Sequence, residues 1–484
     1  MNSAGVYILL SVLSGVLGGV AFNNVGLSFL VWCSLVPLLY VIERTSLKQA
    51  FIYSFVGGIV FFLTVLFWVG YVTKLGLLAL LVYVALYWGI FGYAAGVCMR
   101  GPFKFLTVPS CWIILEFLRE NVWTGFGWAL LGYSQHANTY LIQTADILGV
   151  KFISWLIILS NMVIFEIIRK RTLRLKELVV FLGLITATLL YSHYRLESLK
   201  QTSSLRLSLI QTNIPQSLKW EKSYFATTLA TLKRLGQHTP QDTLVVYPEA
   251  SYPLVIGQDT RGAFEHFFKE VHRDVLVGAI EEENKKFYNA AILLDSEGNI
   301  IGRYRKINLV PFGEYIPWRS FFRFISVVNA MGDISRGETP ALFEYGGRKF
   351  SVLICFEDLF PYLVSEFSRT ADFLINITND AWFLGEPQAT QHLAIMRLRA
   401  IENRISIVRV ANTGITGWVS FRGEANLFRS EGRETFFEGV FNTRLPLNQG
   451  RSFYASFPDI IVVGAACILA VAFIRARKKG TVKE

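Results

Sequence analysis

The chain has 484 residues, 52% of them hydrophobic, with a mean hydropathy of +0.41 and a formal net charge of +11. It is too long for one ordinary domain and too apolar to live wholly in water, so part of it lies in a membrane. The charge excludes nothing by its sign alone, but its placement argues against nucleic acid: the excess Lys and Arg sit in short segments between apolar runs, and the remainder of the chain is balanced.

A membrane-spanning helix needs about 20 largely apolar residues. Seven such stretches precede residue 195, at 4–22, 25–42, 50–72, 76–99, 105–118, 146–168 and 177–194, and an eighth runs over 457–474; the fifth is the shortest. Met1-Asn2-Ser3 carries no basic residue and a second apolar stretch follows at once, so the first is read as a retained helix and not a cleaved leader. Arg44 and Lys48, Arg100 and Lys104, Arg169, Lys170, Arg171, Arg174 and Lys176, and Arg475, Arg477, Lys478, Lys479 and Lys483 fall on alternate loops or the tail. By the positive-inside rule those are cytoplasmic faces, which puts both termini inside and the block after the seventh crossing outside. Gly15/Gly19 and Gly92/Gly96 have the spacing that lets helix backbones approach closely. Glu116 and Arg119 share a helix face and are expected to neutralise each other. An aromatic arm at about 119–145, with Trp123, Phe126, Trp128 and Tyr133, reads as a membrane-interface belt or as a device that admits a lipid chain.

The division expected is a transmembrane bundle at 1–195, an α/β domain at 196–456, and a last helix with a basic tail at 457–484. In the middle block, LRLSLIQ, TLVVYPE, DVLVGAI, AAILLD, KFSVLIC, DFLINIT and SIVRVAN have strand character, and helical patterns occur near 224–235, 262–272, 362–368 and 390–404. About 250 residues suffice for a sizeable α/β core. Ligands gather beyond the carboxyl ends of strands in open α/β sheets. Glu249, Cys355 and the Asn376, Asn379, Asp380 group each follow such an end.

Cys355 is the only cysteine between residues 195 and 457, so no disulfide can form inside that block. A free thiol is only a few per cent ionised at neutral pH, and an acyl-transfer nucleophile needs a base and a nearby positive charge. Glu249 suits the first role and Lys306 the second, since a preorganised ammonium stabilises a developing oxyanion in a dry site. Taken singly, Cys355 also fits a buried filler and the two charges an ordinary pair. His238, His266, His272 and His392 permit a Cys–His alternative, but none has a protease-like context. No Cys or His cluster has metal-ligand spacing, and the four other cysteines, Cys33, Cys98, Cys111 and Cys467, read as apolar fillers of the spans.

The ordered motifs QTNIPQSLKW, YPEAS, YRKINLVPFGEYIP, ICFED and TNDAWF resemble those of the nitrilase superfamily, and more narrowly its membrane branch, the apolipoprotein N-acyltransferases. The seven-plus-one span layout is similar as well. The resemblance implies an αββα sandwich on the extracytoplasmic side of a polytopic bundle in the bacterial inner membrane. It implies a Glu249 general base, a Lys306 transition-state stabiliser and a Cys355 nucleophile, with Glu314 as an auxiliary carboxylate and Glu357, Trp220, Trp382 and Phe356 in supporting or substrate-binding positions. It implies a ping-pong transfer of an acyl chain, expected from sn-1 of phosphatidylethanolamine, through a Cys355 thioester to the α-amine of an S-diacylglyceryl-cysteine at a lipoprotein N-terminus. No cofactor or metal is required, and the family suggests a monomer. Phe356 and Tyr247 stand where the pattern has Tyr and Trp, and RSFYASFPD lacks an expected Thr-Pro. A membrane-tethered amidase or nitrilase that passes its acyl group to water is the nearest alternative; a transporter or receptor with an exterior ligand-binding domain is the non-enzymatic one.

Overall fold

The structure, a computed structural model, describes residues 3–170, 175–317, 333–383, 386–448 and 450–478. Of the basic residues used above for topology, Arg171, Arg174, Lys479 and Lys483 lie outside that set. The chain forms two compact units, Met1–Leu199 with Ser452–Glu484, and Lys200–Arg451.

In the first unit, six helices among the described residues are long and apolar enough to cross a membrane: Ser3–Asn23, Val25–Arg44, Leu47–Tyr71, Lys74–Cys98, Val150–Lys170 and Leu175–Ser198. The remaining two expected stretches are helical too. Lys104–Asn121 holds Pro109 and the buried Glu116, Arg119 and Glu120, which dilute its hydropathy, and the apolar part of the last helix is the shorter Ile460–Arg475. The second span is not one continuous α-helix. It starts as the 3₁₀ segment Val25–Trp32 and becomes α-helical at Val36–Arg44, where Pro37, lacking an N–H, sits in the first turn. Ser46 and Gln49 make a reciprocal capping box that starts the third helix.

Close packing explains the glycines. A Cβ at Gly92 would come within 2.6 Å of Ser54 Cβ, and one at Gly15 within 2.9 Å of Val60 Cβ. Glu116 and Arg119 serve the arm more than each other. Arg119 donates to the carbonyls of Trp128 at 2.5 Å and Ala129 at 3.2 Å, while Glu116 accepts from Leu131 N–H and Trp112 Nε1, each at 2.8 Å. The arm is thereby largely folded in: Trp128 and Tyr133 are buried, while Trp123, stacked on Tyr83, and Tyr140 are exposed.

The second unit contains twelve strands among its described residues: β1 Ser203–Gln211, β2 Leu244–Val246, β3 Val275–Glu283, β4 Lys286–Leu294, β5 Ile300–Arg305, β6 Phe343–Tyr345, β7 Arg348–Ile354, β8 Phe373–Thr378, β9 Ser406–Ala411, β10 Gly417–Val419, β11 Ala425–Leu427 and β12 Gly439–Leu447. They make two six-stranded sheets, ordered β12-β1-β2-β3-β4-β5 and β11-β10-β9-β8-β7-β6. The centres are parallel, β1-β2-β3 in one sheet and β7-β8-β9 in the other, and antiparallel strands flank them.

Alternation sets the layers. Leu207, Leu209, Leu244, Val246 and Leu276 of the first sheet share one core with Val352, Ile354, Ile375 and Ile377 of the second. The opposite face of the first sheet, with Val245 and Val277, is covered by Leu232 and Leu235 of helix Phe225–Gln237 and by Phe264 and Phe268 of helix Arg261–Lys269. Those last two are an i, i+4 pair on an amphipathic helix. Helices Pro361–Ser368 and Glu386–Asn403 pack on the second sheet, completing a helix–sheet–sheet–helix sandwich. The parallel strand FLINIT is buried at every position, as expected of a strand covered on both faces.

Candidate active site

The carboxyl ends of the central strands meet at one end of the sandwich. Asn412, after β9, accepts from Thr212 Oγ1 at 2.7 Å and from Ile214 N–H at 2.8 Å, both after β1, which ties the two sheets together there. Glu249 follows β2, Lys306 follows β5 and Cys355 follows β7.

Lys306 is 1% exposed, with Nζ 3.3 Å from Glu249 Oε1 and 3.0 Å from Glu314. Burial opposes its charge, but the attraction of Glu314 and Glu249 outweighs burial and holds the ammonium well above the usual lysine range. Glu249 is fixed on both oxygens. Oε1 accepts from Asn289 Nδ2 at 2.7 Å in addition to the lysine, and Oε2 accepts the Asn379 main-chain N–H at 2.9 Å. The same Asn289 amide donates to Glu314 Oε1 at 2.8 Å, and Glu314 Oε2 accepts Val310 N–H at 2.8 Å. Glu249, Lys306, Glu314 and Asn289 thus form one hydrogen-bonded cluster.

Cys355 opens a short 3₁₀ turn, Cys355–Leu359, with φ of 56°. That left-handed conformation is costly for a residue with a Cβ and is typical of a strand-to-turn corner that presents a functional side chain. Its thiol is pushed up by burial and by the neighbouring Glu249, and pulled down less strongly by Lys306 and the Thr378 hydroxyl. The balance at the sulfur favours the thiol over the thiolate, which leaves a proton for a neighbouring base to take.

Glu357 is fully buried, and its hydrogen-bond partners lie on the segment at residues 304–308 and at Ile354. Its carboxylate accepts N–H groups of Ile307 and Asn308 at 2.8 and 2.9 Å, Ile354 N–H at 2.8 Å and Tyr304 Oη at 2.9 Å. It bolts the loop after Lys306 to the strand before Cys355. Burial raises its pKa, against those donors and Lys306, to about 7. Phe356 lays its ring 5.3 Å from Lys306 Nζ, so an aromatic face meets the ammonium where a phenol was expected. Trp220 and Trp382 are 44% and 53% exposed, and neither joins the buried cluster.

Sequence reading missed Lys219, Asn289 and Thr378. Lys219, inside QSLKW, is 2% exposed and donates from Nζ to the Glu249 carbonyl at 3.1 Å. Asn289 was invisible because only the β4–β5 register, with Ala290 opposite Arg305, brings it beside Lys306. His392 does not take the role of base in a Cys–His site. Nε2 lies 2.7 Å from Asp358 and Nδ1 2.9 Å from Arg409 Nη2, and Arg409 also holds Asp380 at 2.8 Å. Burial raises and Arg409 and His392 lower the Asp380 carboxyl, which ends well below the usual range.

Residues 206–436 match the carbon-nitrogen hydrolase family, which defines the class of the α/β unit. Residues 14–163 match the N-terminal domain of apolipoprotein N-acyltransferase. The chain is 36% identical to an apolipoprotein N-acyltransferase of Geobacter metallireducens over 96% of its own length and 95% of the relative's, and 30% identical to one of Aquifex aeolicus over 86% and 94%. It belongs to the apolipoprotein N-acyltransferase family. Among solved structures, an amidase from Nesterenkonia sp. aligns at 18% identity with a TM-score of 0.39, over 51% of this chain and 93% of that one.

Proposed function

We propose that the chain moves an acyl group from a phospholipid, through a thioester on Cys355, to the α-amine of an S-diacylglyceryl-cysteine at a lipoprotein N-terminus. The observation that carries this reading is a carboxylate with both oxygens fixed, Glu249, held against a buried ammonium and beside a cysteine in a left-handed backbone conformation. In the first half-reaction the thiol gives its proton to Glu249 as sulfur bonds to the ester carbonyl carbon. Two of the three Lys306 protons point at Glu249 and Glu314, and the third serves the oxyanion. The tetrahedral intermediate collapses by breaking the carbon–oxygen ester bond, and the lysophospholipid oxygen takes the proton back from Glu249.

In the second half-reaction the amine attacks the thioester, Glu249 accepts an ammonium proton, and the C–S bond breaks to give an amide and a sulfur that regains the proton. Glu314 supports Lys306, Glu357 holds the two loops in register, and Trp220, Trp382 and Phe356 shape the route of the substrates. The basic loops favour a bacterial inner-membrane placement with the α/β unit extracytoplasmic and both termini cytoplasmic. Membrane anchoring keeps the enzyme where two lipidated substrates are concentrated.

Mass spectrometry of the Cys355 peptide after incubation with a defined phospholipid tests this. A fatty-acyl mass that appears and is then discharged onto a diacylglyceryl-cysteinyl peptide is the expected result. Discharge to water at the same rate with and without the peptide would favour a hydrolase, and an unmodified Cys355 under turnover would defeat the covalent route.

A further inference from the structure

Lys219 is a buried ammonium that the mechanism above does not use. Its segment is pinned beside the strand ends: Asn213 N–H donates to the Asn412 carbonyl at 2.9 Å, Gln216 Oε1 accepts from Asn379 Nδ2 at 2.8 Å, and Lys219 N–H closes a turn onto the Pro215 carbonyl at 3.1 Å. Trp220 points outward and Lys219 inward, so the segment delivers a cation to the site. Among the described residues the hydrogen-bond partner of its ammonium is a main-chain carbonyl, that of Glu249, and the charges it senses are the Glu249 carboxylate and the Cys355 sulfur.

The charge count of the cluster gives that placement a meaning. Glu249 and Glu314 are two anions, and Lys306 supplies one cation between them. Asp380 is matched by Arg409, and Glu357 is enclosed by its own main-chain donors. Without Lys219 the Glu249–Glu314–Lys306 group would be net anionic in a buried site, an expensive state that opposes any new negative charge. With Lys219 the group is neutral. It stays neutral when the thiol proton moves to Glu249 and the negative charge shifts to sulfur or to the oxyanion.

We propose that Lys219 is a positioning residue for the Cys355–Glu249 pair, supplying through its buried ammonium the second positive charge that lets negative charge develop on sulfur. The inference rests on the acyl-transfer reading for its purpose but not for its test. Burial lowers the lysine's pKa, against Glu249 and Cys355, to about 8. The charge is therefore present below that pH and lost above it.

The test is the rate of alkylation of Cys355 by iodoacetamide in the full-length protein in detergent, followed at the Cys355 peptide between pH 6.5 and 9.5 for wild type, K219M, K219Q and K219R. K219M keeps the volume without charge, K219Q keeps an N–H donor without charge, and K219R keeps the charge. We expect K219M and K219Q to be about tenfold slower than wild type at pH 7, the equivalent of about one pKa unit on the thiol, with the gap closing above pH 8 and K219R close to wild type. Superimposable wild-type and K219M profiles would overturn the proposal, and so would full recovery in K219Q, which would reduce Lys219 to a hydrogen-bond donor. Misfolded protein registers separately as a fast phase with the pH profile of an exposed thiol. Because alkylation needs neither lipid nor acceptor, failure of the lipid-loading experiment would sink the acyl-transfer reading and leave this result standing.

Discussion

Asn376 donates its side-chain N–H to the main-chain carbonyl of Cys355 at 2.7 Å, and its own amide oxygen faces Arg409 Nη1 at 3.3 Å. The arginine fixes which way the amide points, and the amide holds the corner on which Cys355 sits. Asn376→Asp keeps the shape but sets a carboxylate oxygen against the carbonyl. It is expected to cost about 1–3 kcal/mol of stability and to slow Cys355 acylation about tenfold or more. Thermal unfolding of the purified protein, together with the rate of acyl-adduct formation, checks both effects.

Substitution at the reacting groups separates the enzymatic readings from a binding role. Cys355→Ala is expected to abolish the acyl adduct. Glu249→Gln and Lys306→Met should each lower turnover by about a thousandfold or more, since in the proposed mechanism one loses the proton acceptor and the other the oxyanion's ammonium. Acyl transfer to a lipopeptide is the assay. Activity that survives all three changes would return the unit to the status of a ligand-binding domain.

Glu357 gives a pH signature. Its folded-state pKa of about 7 lies above the ordinary 4.5. The proton therefore binds more tightly in the folded state, and the associated stability, about 3 kcal/mol at most, is complete below pH 4.5 and is lost as the pH rises through 7. Glu357→Gln removes that dependence, so the stability deficit of the variant relative to wild type should shrink between pH 5 and pH 8. Melting curves at the two pH values decide it, and a deficit that grows with pH would contradict the assignment.

In the bundle, Gly92→Leu forces a side chain into Ser54 and the neighbouring helix backbone. Overpacking of this kind costs about 1–3 kcal/mol or more, while Gly183→Leu, with nothing within 4 Å of a Cβ, should be tolerated. Thermal stability of the two variants in detergent compares a packed glycine with an open one.

The seven strands read from the sequence are all present, because alternating or continuous apolar runs ending in Gly, Pro or charge dominate local preference there. The strands that escaped notice, β5, β6, β10, β11 and β12, are short or carry charged and polar residues such as Arg303, Asn426 and Arg444, and their strand state comes from pairing rather than from pattern. Glu249 and Cys355 stood out because each follows an apolar strand, and Lys306 because it supplies the cation such a thiol needs within a recognisable motif. Lys219 and Asn289 could not be picked out, since neither carries a local signal and both acquire their place through tertiary register. Trp220 drew attention as a large aromatic residue in a recognisable motif, yet the inward turn of that segment belongs to the lysine beside it.

The Glu357 bolt has a consequence for how this enzyme can fail. One carboxylate fastens the β5 exit to the β7 exit, so the spacing between ammonium and sulfur is set by the same contacts that keep the two sheets in step. A lesion that lets the sheets slide by a fraction of an ångström would leave the domain folded and silent, and loss of turnover should precede loss of structure along any gradual unfolding path.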